Sequence, residues 1–196
     1  MIDFLTIKGG HKRSFILLAL CGLLLTGCAS STGTTYAEKR QSILKMKEEV
    51  LTELFKLKPD VRSQIANAPG YAVFSNINVN LIFASFGGGY GLAKQTSDGS
   101  VTYMKMGEVG IGLGAGVKDF RIVIVFHSQK ALNEFIQEGW AFGGQADAAA
   151  KADDKGGAVG AEAIINDASV YQLTKSGLAL QVTIKGTKYW KDAELN

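Results

Sequence analysis

Cysteine, proline and histidine are scarce in this chain of 196 residues, which has two of each. Cys21 lies inside an apolar N-terminal run, and Cys28 follows that run directly. If the run is removed as a leader, Cys28 is the cysteine that remains. A disulfide framework and a cysteine-based zinc site are therefore both excluded for the rest of the chain.

The charge balance and the polar motifs exclude two further classes of function. The net charge is +3, and it falls to about +1 without residues 1–27, so the chain has no strongly basic surface for nucleic acid. His127 is the histidine that follows this leader, and we expect it to be structural or solvent-facing. The sequence contains neither a GxSxG motif nor the carboxylate spacing of a calcium loop. It therefore predicts a protein that is not an enzyme and holds no metal.

The N-terminus has the parts of a secretory leader that ends in a lipid-accepting cysteine. Three basic residues come first, an apolar run of about 11 residues follows at 15–25, and small residues precede Cys28. The run is too short to span a bilayer of ~30 Å. The order Leu25-Thr26-Gly27-Cys28 is similar to a bacterial lipobox, in which the cysteine receives a diacylglyceryl group. The other interpretation is an ordinary signal peptide with a chance cysteine.

These features divide the chain into three parts. We predict a lipoprotein signal peptide at 1–27, the lipidated cysteine and a flexible tether at 28–36, and a single domain at 37–196. The covalent acyl and diacylglyceryl anchor on Cys28, palmitate included, is the one lipid group expected, and no other cofactor is predicted. Ala29 follows the cysteine, and by resemblance to lipoproteins this favours the outer membrane. The predicted location is membrane-anchored, facing the periplasm of a cell envelope.

Two helices are predicted at the start of the domain. Between residues 37 and 57, apolar residues at three- and four-residue spacings form one stripe, and Pro59 ends this helix. A short second helix is expected from Asp60 to Ala66. The stripe of the first helix consists of Ile43, Met46, Val50, Leu54 and Leu57.

From residue 71 onward, the sequence predicts strands with one inserted helix. The Asp98-Gly99 pair predicts a hairpin turn, and Ser128 is a fair N-cap for a helix that ends at Gly139. The predicted strands cover 71–74, 79–94, 101–117, 119–126, 140–144, 159–165, 169–174 and 178–185, and a loop is expected at 147–157. The fold class is therefore α+β: N-terminal helices followed by a curved, mostly antiparallel, glycine-rich sheet or partial barrel with one inserted helix.

Glycine is abundant, with 24 residues, and some of these glycines recur at every second position. Period two places one set on a single face of a strand. This set is Gly110, Gly112, Gly114 and Gly116, and the preceding strand repeats the pattern at Gly87, Gly89 and Gly91. Glycine weakens a strand, so such a strip needs a reason. One interpretation is close packing or tight curvature, and the other is a shallow groove that accepts a ligand such as an acyl chain.

The order of the motifs resembles the SYLF domain, also called the yeast actin-binding-type domain. The resemblance covers roughly Glu38 to Asn196, and bacterial lipoproteins are among the members of this family. The motifs that carry it are Ala68-Pro-Gly-Tyr-Ala-Val-Phe74, Gly110-Ile-Gly-Leu-Gly-Ala-Gly116, Val123-Ile-Val-Phe126 and Ser169-Val-Tyr-Gln-Leu-Thr-Lys-Ser-Gly-Leu178.

The resemblance implies a lipid-binding module without catalytic activity. Eukaryotic relatives engage phosphoinositides, partly through a basic amphipathic N-terminal helix, and some bind actin filaments. The corresponding helix here is 37–57, and the residues implied to face lipid head groups are Lys39, Arg40, Lys45 and Lys47. The implied partner is membrane lipid, anionic lipid included. One alternative is a structural or assembly lipoprotein that binds an envelope protein; another is that the apolar stripe of the helix packs on the sheet.

Overall fold

A computed structural model of the chain describes residues 31–81, 84–110, 116–142, 162–174, 177–178 and 186–196. Three helices and nine strands lie in these ranges, and they form the predicted α+β fold. No helix in the described part of the chain is long and apolar enough to cross a bilayer.

The helices begin and end where local chemistry favours it. Helix α1 spans Tyr36–Leu57, and α2 spans Val61–Asn67. The Thr35 hydroxyl accepts from the Glu38 backbone N–H, and the Glu38 carboxylate accepts from Thr34 and Thr35, which forms a capping box. These hydrogen bonds, that of the Thr34 side chain first, lower the pKa of Glu38 to about 2. The predicted tether at 28–36 therefore overlaps the start of α1.

Helix α3, Gln129–Glu138, is the inserted helix that the sequence predicted. The Ser128 hydroxyl accepts from the Ala131 backbone N–H, and Gly139 ends the helix with a φ of +71°. An added Cβ at Gly139 would also lie 2.1 Å from the Tyr189 carbonyl oxygen. The predicted buried stripe is confirmed as Ala131, Leu132, Phe135 and Ile136.

The strands form one sheet whose described pairs are all antiparallel. Its order is β5-β9-β3-β2-β1-β4-β7-β6, and β8 also pairs with β7. Among the described residues, the end strands β5 and β6 do not pair with each other, so the described sheet is not closed. The strands are β1 Gly70–Leu81, β2 Ala84–Gln95, β3 Val101–Gly110, β4 Gly116–Phe126, β5 Ala141–Phe142, β6 Glu162–Ile165, β7 Ala168–Thr174, β8 Gly177–Leu178 and β9 Gly186–Lys191.

Two strand boundaries predicted from the sequence are wrong. The segment 79–94 is not one strand, because Leu81 of β1 lies opposite Ala84 of β2 in a hairpin. The segment 101–117 is not one strand either, because β3 pairs with β2 and β9, whereas β4 pairs with β1 and β7. At Gly110 the alternation of glycine and apolar residues continues past the strand end, and at Leu81 a run of four apolar residues, 81–84, contains no turn residue. Strand β9 was not predicted at all.

The two faces of the sheet carry two separate cores. Residues of β1 alternate between them, with Ala72 and Phe74 on the face covered by α3, and Tyr71 and Val73 on the face covered by α1. The α3 core is largely aromatic and includes Phe74, Phe126, Phe135, Trp140 and Tyr189. The α1 core includes Ile43, Val50, Leu54, Val73, Leu92, Val123, Tyr171, Leu173 and Leu195.

Two glycines of β2 fill places where a side chain would collide with the neighbouring strand. An added Cβ at Gly91 would lie 2.1 Å from the Val73 carbonyl oxygen and 2.5 Å from the Phe74 ring. At Gly89 it would lie 2.3 Å from the Ser75 carbonyl oxygen. Close packing, the first interpretation of the glycine strip, therefore explains Gly89 and Gly91.

Gly91→Ala is expected to lower the free energy of unfolding by about 2 kcal/mol, because the new methyl group overpacks the β1–β2 contact. Gly88→Ala is the matched control, since an added Cβ there meets nothing within 4 Å. Urea denaturation of both variants measures the difference. Equal stabilities for the two variants would contradict the close packing at Gly91.

Candidate functional site

The four basic residues implied to face lipid do not form one surface. The Lys47 side chain is buried, and its ammonium group pairs with the carboxylate of Glu48, which is exposed. The Arg40 Nε donates to the Leu195 carbonyl oxygen at 2.9 Å, so Arg40 ties α1 to the C-terminal segment. Lys39 lies over the Tyr36 ring at 5.7 Å, whereas Lys45 has a side chain that is 79% exposed.

The apolar stripe of α1 belongs to the α1 core. Ile43, Val50 and Leu54 are at most 1% exposed there, which confirms that the stripe packs on the sheet. The remaining surface of α1 carries both signs of charge, as in the pair of Lys45 and Glu49 at 3.8 Å. Helix α1 therefore presents neither a continuous apolar stripe nor a purely basic face to a membrane.

The C-terminal residues hold this arrangement together. Asn196 donates to the Tyr103 carbonyl oxygen at 2.8 Å and accepts from the Tyr103 backbone N–H at 2.9 Å. Leu195 is buried in the α1 core, and Lys105 of β3 pairs with Asp192 at 3.2 Å. Since Arg40 also contacts this segment, the end of the chain fixes α1 relative to β3.

Of the four glycines predicted to line a groove, the two that the structure describes lie in different strands. Gly110 ends β3 and Gly116 begins β4, with Ser85 and Asn80 between them across the sheet. The two glycines are three strand spacings apart, about 14 Å, and not neighbours on one strand. Gly112, Gly114 and Cys28 lie outside the described residues. The groove therefore stays a prediction.

His127, Ser169 and Asp167 form a hydrogen-bonded group at the end of β4. The His127 Nε2 lies 2.8 Å from the Ser169 Oγ, and its Nδ1 lies 3.7 Å from the Asp167 Oδ1. Asn166 and Asp167 have φ values of 48° and 59°, which suit the two-residue hairpin between β6 and β7. The group has the residue types of a catalytic triad, but Ser169 is only 2% exposed. We interpret it as a structural link between β4 and the β6–β7 hairpin.

A fluorophosphonate probe that labels activated serines is expected to leave Ser169 unmodified, because its hydroxyl is buried and bound to His127. The measurement is mass spectrometry of the probe-treated folded protein, with a known serine hydrolase as positive control. Labelling of Ser169 that is lost in His127→Ala would instead identify a nucleophile and its base.

A second polar group is buried on the α3 face. The Asn76 Nδ2 donates to the Glu108 Oε2 at 2.7 Å, and both side chains are at most 8% exposed. The Asn76 Oδ1 has no hydrogen-bond partner among the described residues. Burial raises the pKa of Tyr189, and the nearby Glu108 carboxylate raises it further. In the described part of the chain, no three His, Cys, Asp or Glu side chains are placed to hold a metal ion.

An exposed apolar surface lies on the α1 face of the sheet, beyond the part that α1 covers. Phe86 and Val109 lie opposite each other in β2 and β3 and are 54% and 57% exposed. Ile77 of β1 is 47% exposed, and Trp190 of β9 is 38% exposed. We call these four side chains the distal patch. The distal patch was not predicted from the sequence, because the first predicted strand ended at residue 74 and β9 was not predicted.

Glycines leave the middle of the distal patch without side chains. Gly88 lies opposite Ile77, and nothing would meet a Cβ added to it within 4 Å. Gly107 lies beneath the Trp190 ring, where an added Cβ would come within 3.3 Å of that ring. The middle of the patch is therefore flat, and the charged residues beside it are Lys188, opposite Gly107, and Asp119, opposite Ile77. Because exposed apolar clusters are uncommon on monomers, the distal patch is the described surface best suited to binding.

The chain is similar to a family model and to a curated bacterial protein. Residues 107–196 match the family model Ysc84, described as Las17-binding protein actin regulator. A protein of Aeromonas veronii, beta cell expansion factor A, is 31% identical over 168 residues, which are 82% of this chain and 60% of that relative. The chain thus spans about three fifths of the length of this curated relative. Together with the confirmed fold, these matches confirm the resemblance to the SYLF family that the sequence motifs indicated.

Proposed function

We propose that this chain is a non-enzymatic, lipid-anchored cell-envelope protein whose SYLF domain binds membrane lipid. The observation that carries the proposal is the distal patch, an apolar surface that α1 leaves uncovered. The lipobox-like sequence at Cys28 supports it, because a lipid anchor would hold this surface next to a bilayer. The proposed location is the outer membrane, facing the periplasm.

The anchor and the patch are expected to act together. Five residues separate Cys28 from Thr34, where the cap of α1 begins, so even a fully extended segment would keep that cap within about 20 Å of the cysteine. A domain held this close to the membrane meets it at a high effective concentration. Burial of one phenylalanine side chain contributes about 2 kcal/mol, so a small patch suffices for the second contact.

The charge of the described surface favours apolar contact over recognition of anionic head groups. Of the basic residues of α1, Lys47 is buried, Arg40 is hydrogen-bonded to the C-terminal segment, and Lys45 is exposed. Acidic residues lie among them. A basic surface would add about 1 kcal/mol for each lysine or arginine near an anionic membrane. The chain lacks such a surface on α1, whereas the distal patch needs no charge on the lipid.

A second candidate is an envelope assembly protein that binds a protein partner through the same patch. The observation that favours it is Trp190, because tryptophan is enriched at the centres of protein interfaces. This candidate predicts a specific crosslinked partner in cells and no binding to vesicles. Lipid binding predicts the reverse.

Flotation with vesicles tests the proposed function. The chain from Ala29 onward contains every described element and both cores, and it lacks the predicted lipid. We expect it to float with neutral and anionic vesicles, and to stay bound as the salt concentration rises. Flotation with anionic vesicles alone, lost at high salt, would instead indicate head-group recognition. No flotation would contradict lipid binding by the domain, and in-cell crosslinking would then test the protein partner.

A further inference from the structure

We infer that the distal patch enters the acyl-chain region of a phospholipid bilayer, with Phe86 and Val109 deepest and Trp190 at the head-group level. This inference rests on the proposed lipid binding and assigns it a surface and an orientation. It also assigns the membrane contact to the distal patch, whereas the sequence resemblance implied that α1 faces the membrane.

The residues of the patch are ordered along the strands. Lys105 and Val109 are four residues apart in β3; Trp190 lies opposite Lys105, and its ring extends over Gly107, about 7 Å along the strand from Val109. Lys188 lies opposite Gly107, between these two positions, and is exposed. An aromatic ring and a lysine therefore lie on the side nearer α1, and the purely apolar side chains lie at the far end of the sheet.

This order matches the polarity profile of a membrane surface. Tryptophan prefers the interface, and the long side chain of lysine can cross apolar surface and leave its ammonium group in water. Phenylalanine and valine carry no polar group, so they can enter hydrocarbon without an unpaired donor or acceptor. Asp119, opposite Ile77 at the rim, lies 3.9 Å from the Arg121 guanidinium, which also pairs with Glu53 at 2.9 Å, so the rim carries a cluster of three charges.

The native tryptophans provide a test of this orientation. The chain has two, Trp140 in the α3 core and Trp190 in the patch, so the difference between the wild type and Trp190→Phe reports on Trp190. The chain from Ala29 onward is mixed with phosphatidylcholine vesicles that carry a nitroxide at a shallow or a deep acyl position. We expect the shallow nitroxide to quench Trp190 more strongly than the deep one.

A second reporter tests the deep end. In the Trp190→Phe background, Phe86→Trp is expected to be quenched more strongly by the deep nitroxide than by the shallow one. Val109→Asp is expected to weaken binding to the same vesicles about tenfold or more, since it places a charge in hydrocarbon. Circular dichroism of each variant confirms that the fold is retained.

The results of these experiments distinguish a failure of the inferred orientation from a failure of the proposed lipid binding. If the chain floats with vesicles but neither tryptophan is quenched, the domain binds lipid through another surface and the inference is overturned. If both reporters are quenched more strongly by the same nitroxide, the proposed orientation is wrong. If the chain does not float at all, the proposed lipid binding fails as well.

Discussion

Cys28→Ser is expected to abolish incorporation of labelled palmitate and to leave the protein with only the weaker membrane contact of the distal patch, so that less of it is found in the membrane fraction. The reason is that a diacylglyceryl group and an added acyl chain bury many methylene groups, at ~0.8 kcal/mol each, whereas the distal patch alone buries a few side chains. Metabolic labelling and fractionation of a bacterial host that expresses the full chain measure the two effects.

Cys21→Ser is the matched control for this prediction. Cys21 lies within the apolar run at 15–25, where no lipid is expected, so labelling and fractionation should stay unchanged. Palmitate incorporation that persists in Cys28→Ser would show that the lipobox interpretation is wrong. The leader would then be an ordinary signal peptide with a chance cysteine, and the domain would reach the membrane without an anchor.

Leu54→Ala is expected to lower the free energy of unfolding by about 3 kcal/mol, whereas Leu57→Ala should change it by less than about 1 kcal/mol. Leu54 is fully buried in the α1 core, and Leu57, three residues later in the same helix, is 43% exposed. Urea denaturation of the two variants measures the difference.

The same pair of variants separates a structural helix from a membrane-binding one. If the stripe of α1 packs on the sheet, Leu57→Ala should float with vesicles as the wild type does. A helix whose stripe enters the bilayer would show the opposite pattern, with similar small losses of stability at both positions and weaker flotation. That pattern would indicate that α1, and not the distal patch, contacts the membrane.

The helices were predictable because their signals are local. Ser128 and Gly139 occupy the cap positions predicted for α3, and the apolar stripes identify the buried faces, whereas Thr35, the N-cap of α1, had been assigned to the tether. The exception is Leu57, which has the spacing of the stripe but lies in the last turn of α1, where its side chain stays exposed. Spacing identifies a face of the helix, but the extent of the partner surface decides which residues are covered.

The strand ends were not predictable from alternation alone. The ends of β1 and β3 have no turn residues to mark them, because residues 81–84 are all apolar and glycine alternates with apolar residues from 109 to 117. The glycine pattern therefore looked like one continuous strip, and the structure divides it between β3 and β4. Pairing partners are a tertiary property, and the period of two does not encode them.

The distal patch was missed for a related reason. Ile77, Phe86, Val109 and Trp190 come from four strands, and each looks like an ordinary core residue in the sequence. They are exposed because α1 covers the part of the sheet around Val73 and Leu92 and not the far end. A sequence pattern predicts which residues share a face, whereas exposure depends on where the helix crosses that face.

The most direct test of the account compares the vesicle flotation of Phe86→Asp with that of Tyr36→Asp, both in the chain from Ala29 onward. The two aromatic residues are similarly exposed, at 54% and 56%, but Phe86 belongs to the distal patch and Tyr36 to the start of α1. If the distal patch is the membrane contact, Tyr36→Asp floats like the wild type, and Phe86→Asp remains at the bottom of the gradient. Equal flotation of the two variants, or a loss confined to Tyr36→Asp, would contradict it.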